Sequence, residues 1–159
     1  MWVLLAYRVP REPSTPRIAV WRRLKRFGVA RVGDGLVALP ADARTQEQLE
    51  WVADLVAEAG GSSTLWRAEL LSQAQQRELV QRLAAARAEE YAAVTTRAQA
   101  VSTGEHREVV RSLRSLRREL RQIQRRDFFP PPERDPAVAA VRRLAAMVAD
   151  TGKPEVRSS

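Results

Sequence analysis

The stretch Trp2-Val-Leu-Leu-Ala-Tyr-Arg-Val9 is apolar on both of its alternating sets, with Trp2, Leu4 and Ala6 on one side and Val3, Leu5, Tyr7 and Val9 on the other. A strand that faces water on one side alternates polar with apolar residues. One that does not alternate is central in its sheet and needs cover on both faces. Pro10 closes this strand. Its apolar run, Trp2 to Tyr7, is too short to span a bilayer and no positive segment precedes it as in a signal peptide, so no membrane association and a cytoplasmic location are expected.

The glycines and prolines that follow divide the next sixty residues. Ser14-Thr15-Pro16 signals a helix start with proline at the first helical position, and the helix runs to Phe27 and stops at Gly28. At 100° per residue Val20, Trp21, Leu24 and Phe27 fall on an inward side and Arg22, Arg23 and Arg26 on the opposite one. Val29–Val32 and Leu36–Leu39 flank Gly33-Asp34-Gly35 and read as an antiparallel hairpin stopped by Pro40. Thr45 with Gln48 resembles a capping box for a second helix whose Leu49, Val52, Leu55 and Val56 face inward, ending at Gly60-Gly61. A fourth strand spans Thr64 to Leu70. The order β-α-β-β-α-β predicts an α+β fold of the split βαβ, ferredoxin-like kind, with both helices on one face of the sheet.

Three further helices are expected as a C-terminal extension. The first, Ser72 to Val101, is rich in Ala, Arg and Gln, with Leu79, Leu83 and Tyr91 as its larger side chains. The next, within 104–129, is the most regular: Val109, Leu113, Leu116, Leu120 and Ile123 recur at spacings of four and three, a narrow seam like that of a helical hairpin or short coiled coil. Phe128-Phe129 and Pro130-Pro131-Pro132 end it. Asp135-Pro136 opens the last helix, with Val138, Val141, Leu144 and Val148 inside. The expected division is an α+β domain at 1–71, a helical extension at 72–151 and a flexible tail at 152–159.

The residue types restrict the chemistry. With no cysteine there is no disulfide, iron–sulfur cluster, thiolate zinc site or thiol nucleophile, and His106, the single histidine, cannot build a multi-histidine metal site. His106 sits beside Glu105 and Glu108 without a nucleophile or a second histidine, as a surface histidine does. The Gly33–Gly35 turn joins two strands and opens no helix, so it lacks the N-terminus that a phosphate cradle uses. Glu12 and Asp34 are the only acids in the first forty residues, and Tyr7-Arg8-Val9 offers no aspartate where a ferredoxin-like metal-dependent nuclease places its ligand. Neither catalytic residue, metal nor cofactor is expected, and the chain is expected not to be an enzyme.

The charge points elsewhere. The 27 Lys and Arg outnumber 19 Asp and Glu for a net +8, and all but Lys25 and Lys153 are arginines, whose planar fork suits phosphate and other oxyanions. The first helix carries Arg17, Arg22, Arg23, Lys25 and Arg26 and no acid. A solvated outer face explains part of this. Uncompensated cations repel one another, however, and that is better tolerated where an anion is the partner. On the regular helix Arg111, Arg114, Arg118, Arg121 and Arg125 lie opposite the seam, diluted by three glutamates; Arg121, Arg125 and the adjacent Arg126 are the phosphate candidates there.

Three readings stay open: DNA binding through the first helix, by a dimer if an apolar sheet face needs cover; capture of a small oxyanion such as chromate, sulfate or phosphate by the same arginines; and pairing of the Val109–Ile123 seam with a partner helix.

Some of these residues resemble a known family. Arg17-Ile-Ala-Val-Trp21-Arg22-Arg-Leu24-Lys-Arg-Phe-Gly28, Asp34-Gly35-Leu-Val-Ala-Leu39-Pro40, Gly60-Gly61 before Leu65-Trp66-Arg67, then Arg87-Ala-Glu-Glu-Tyr91 and Arg126-Asp127-Phe128-Phe129 together resemble the N-terminal domain of the chromate-resistance regulator ChrB family, across about residues 2–150. The resemblance implies a ferredoxin-like module with a helical extension and a part in DNA binding and operon regulation, with Arg17, Trp21 and Arg22 in its central motif. Family members that continue into a C-terminal domain are associated through it with chromate sensing.

Overall fold

A computed structural model describes residues 1–152; of the tail expected at 152–159, all but Gly152 lies outside them. The chain divides into two compact units, residues 1–83 and 84 onward. The first holds β1 (Trp2–Arg8), α1 (Ser14–Phe27), β2 (Ala30–Gly33), β3 (Leu36–Pro40), α2 (Ala43–Glu58), β4 (Ser62–Ala68) and the first turns of α3 (Gln73–Val101). The strands form one antiparallel sheet in the order β2-β3-β1-β4.

The doubly apolar β1 is central, as its pattern predicts, pairing with β3 through Val3↔Leu39 and Leu5↔Val37 and with β4 along its whole length. Those four side chains are buried, as are Val20 and Leu24 of α1 and Leu49, Val52 and Val56 of α2. The other face is covered only in part. Trp2 is buried, and its indole N–H donates to Gln76 Oε1 at 2.7 Å, while Leu79 of the same helix is also buried. Beside them a groove of about 260 Å³ runs past Leu4, Val32, Ala68 and Leu70. Farther out, Trp66 is 58% exposed.

Local details depart from the sequence reading at the starts of three elements. The helix α1 begins at Ser14 after Pro13, so Pro16 is its third residue. At α2 the box is Asp42 with Thr45: the Asp42 carboxylate accepts from the Thr45 N–H at 2.7 Å, and Thr45 Oγ1 accepts from the Asp42 N–H at 3.0 Å. Thr45 Oγ1 also donates to the Pro40 carbonyl at 2.6 Å, which holds it buried at the end of β3. The strand β4 starts two residues earlier than expected, directly after the Gly60-Gly61 stop.

The second unit comprises the rest of α3, then α4 (His106–Arg125) and α5 (Arg134–Thr151). The predicted seam Val109, Leu113, Leu116, Leu120 and Ile123 is buried against Tyr91, Val94 and Ala98 of α3 and Ala137, Ala140, Val141 and Leu144 of α5. It is thereby used inside the chain, as a helical hairpin uses such a seam, and is not left open for a partner helix. Val138 and Val148 are only partly buried, because the small Ala137 and Ala140 take the closest positions. No helix among the described residues is long and apolar enough to cross a membrane.

Candidate nucleic-acid interface

The helix α1 presents its cations because its C-terminal end is capped and one stripe is spent on the core. Gly28 closes it in the left-handed conformation at φ 76°, its N–H reaching the Leu24 and Lys25 carbonyls. With Val20 and Leu24 turned inward, Arg17, Arg22, Arg23, Lys25 and Arg26 are all exposed. Among the described residues none of the five forms an ion pair. Lys25 and Arg26 lie in the last turn, where the negative end of the helix dipole favours them. Arg17 has no such excuse: it stands one residue past a first turn that contains no acid, at the end where cations are disfavoured.

Trp21, expected inside, is 38% exposed, and Ile18 is 46% exposed. The inward stripe of α1 is narrow because α2 takes the rest of that sheet face, which leaves Trp21 outside. It lies in the i±4 row of Arg17 and Lys25, so an aromatic ring stands between two cations. Such a row offers a base or sugar a flat partner beside phosphate ligands.

Sequence reasoning overlooked Tyr7 and Arg31. Burial pushes the Tyr7 phenol above its ordinary range, and the positive charges of Arg31 and Arg17 work against that, which places both cations near the ring. Arg31 is itself tied to Asp34 at 2.6 Å, so its charge is locally offset. The only sequence signal for this neighbourhood was the central position of β1.

On α4, Arg121 and Arg125 are exposed as expected, in the second unit and apart in sequence from α1. Arg126 is a correction. It is mostly buried, with Nη2 donating to Glu90 Oε1 at 2.5 Å and Nη1 donating to the Gln122 carbonyl at 2.9 Å. Around it lies a polar knot that explains the Arg87–Tyr91 and Arg126–Phe129 landmarks as structural. The Tyr91 hydroxyl donates to Asp127 Oδ2 at 2.7 Å, and Arg87 Nε lies 2.9 Å from Glu90 Oε2, an ion pair by distance whose N–H is not aligned on the oxygen. Burial first, then the Asp127 bond and charge, raise the Tyr91 phenol far above its ordinary range, and burial lowers the Arg87 guanidinium despite Glu90. His106 is exposed, with Nδ1 3.1 Å from Thr151 Oγ1. Among the described residues no group of His, Cys, Asp or Glu is placed to hold a metal ion.

The fold and surface define a small mixed α+β module with a helical extension and an arginine-rich outer helix. The chain belongs to the ChrB N-terminal family, whose model, described as "Protein ChrB, N-terminal", matches residues 17–154. It is 28% identical over 133 residues to Protein ChrB of Cupriavidus metallidurans, an alignment covering 81% of this chain and 40% of that relative. The chain therefore spans well under half of that relative's length. No solved structure matches it significantly.

Proposed function

We propose that this chain is a non-enzymatic, cytoplasmic DNA-binding module of chromate-resistance regulation, which grips duplex phosphates with the outer face of α1. The observation that carries this reading is the set of five exposed cations on α1, without an ion pair among the described residues. Arginine forks bind phosphate without base specificity, so they position a protein on DNA; Trp21 of the same helix is a supplementary contact, and Arg121 and Arg125 of the second unit are a separate candidate set. Family membership supports the regulatory setting. We read the first unit as ferredoxin-like, a reading supported by its β-α-β-β-α-β order and by the strand order β2-β3-β1-β4.

The test is a gel-shift and anisotropy titration against the DNA upstream of its own gene at about 50 mM salt, where phosphate contacts are strongest. Binding that weakens steeply with added salt is expected. No binding at that salt overturns the reading. A melting temperature raised by chromate or sulfate, with no DNA binding, assigns the arginines to a small oxyanion instead.

A further inference from the structure

We infer that the free edge of β4 pairs with the β4 edge of a second copy of this chain, antiparallel about a two-fold axis, joining two four-stranded sheets into one. The strand lies outermost in the sheet, with all seven residues paired to β1 on its inner side. On the outer side every second residue turns its N–H and C=O toward solvent. Among the described residues no loop backbone group bonds to them.

Proteins guard such edges with charge, proline, bulges or short length. The opposite edge, β2, is guarded in this way: it has four residues, shifts register between Arg31 and Gly33, and carries the Arg31–Asp34 pair. By contrast β4 has seven residues in unbroken register, no proline, and a single charged side chain, Arg67, which is drawn over the sheet face to Gln46 of α2. For a chain of net charge +8 an edge with one charged side chain is where a second copy meets little repulsion.

The edge is also complementary to itself. A pairing centred on Leu65 sets Thr64 of one copy opposite Trp66 of the other. The two Trp66 rings, each 58% exposed in the single chain, become diagonal neighbours at about 7–8 Å between backbones, within aromatic reach. On the other face Arg67 donates to Gln46 of α2 at 2.5 Å, which marks the α2 flank beside the edge. That flank continues through Glu50, which accepts from Gln46 Nε2 at 2.8 Å, to Ala53 and Ala57, whose small side chains leave room for a second α2 helix beyond it.

Sedimentation equilibrium of the full chain tests it, from about 1 to 100 µM, a range that brackets a micromolar dimer. The wild type is expected to dimerise. Thr64→Lys and Trp66→Lys, both at exposed positions, are expected to weaken the dimer at least ~10-fold while keeping the wild-type circular dichroism. Trp51→Lys, at a 51% exposed site on α2 away from that flank, leaves it unchanged. A wild type that is monomeric throughout overturns the inference, as does a dimer that tolerates both edge lysines or is lost equally with Trp51→Lys.

Discussion

Replacing Arg22 and Arg26 together by glutamine removes two of the five exposed cations of α1 and leaves its buried stripe of Val20 and Leu24 intact. If each of the five neutralises one phosphate at about 0.9 per contact, the slope of log affinity against log salt is about −4.5 for the wild type and about −2.7 for the double variant. Between 50 and 200 mM salt the wild type then loses roughly 500-fold in affinity and the variant roughly 40-fold. Fluorescence anisotropy on a labelled duplex, titrated at several potassium chloride concentrations, measures both slopes directly. Because both side chains are exposed and unpaired among the described residues, the unfolding midpoint in urea should not move. A variant that binds more weakly with an unchanged slope refutes phosphate contact by these residues. A variant with wild-type affinity and slope refutes the interface.

Other outcomes follow from the packing. Tyr91→Phe leaves the part-buried Asp127 Oδ2 without its donor and should cost about 1–3 kcal/mol in urea unfolding. The folded chain holds the Tyr91 phenol neutral while the unfolded chain ionises it near pH 10, so wild-type stability is fully present below about pH 10 and falls as pH rises beyond it. Tyr91→Phe should flatten most of that alkaline fall, with Tyr7 supplying the remainder; an unchanged profile would remove Tyr91 as its cause. Leu116→Ala, at 1% exposure in the centre of the helical unit, should cost about 2–5 kcal/mol by denaturant titration, and a cost below ~1 would mean that its surroundings collapse into the space. Gly61→Ala should be the worse of two neighbouring changes. Its new Cβ meets the Arg8 carbonyl oxygen and Val56, a loss of at least about 3 kcal/mol, whereas Gly60→Ala, in open space at φ 78°, pays only the left-handed penalty of about 1–2 kcal/mol. Equal midpoints for the two variants would contradict this.

Much of the framework was legible because it rests on patterns that local physics enforces. The doubly apolar β1, the αL stop at Gly28 and the four-three seam of α4 each leave a periodic or conformational mark that survives without knowledge of neighbours. The misreadings fall where a distant or competing partner decides. Trp21 lies at the border of its helix's inward stripe, and the placement of α2, which no periodicity in α1 encodes, turns it outward. Asp42 displaces Thr45 as the cap because its carboxylate accepts the Thr45 N–H, so the helix is already capped three residues upstream of Thr45. Arg126 shares the composition of Arg121 and Arg125, yet Glu90, 36 residues away, claims it. The candidate α1 arginines were legible as a set, since exposure follows from the opposite stripe; the influence of Arg17 on Tyr7 was not, since it depends on how the helix crosses the sheet.

The uneven placement of the tryptophans has a practical consequence. Trp2 is sealed, whereas Trp21, Trp51 and Trp66 sit at the surface of α1, α2 and β4. Three of the four native fluorophores thus report from different exteriors, and single-Trp versions of the chain would let intrinsic emission show, without any dye, which exterior a given companion molecule touches.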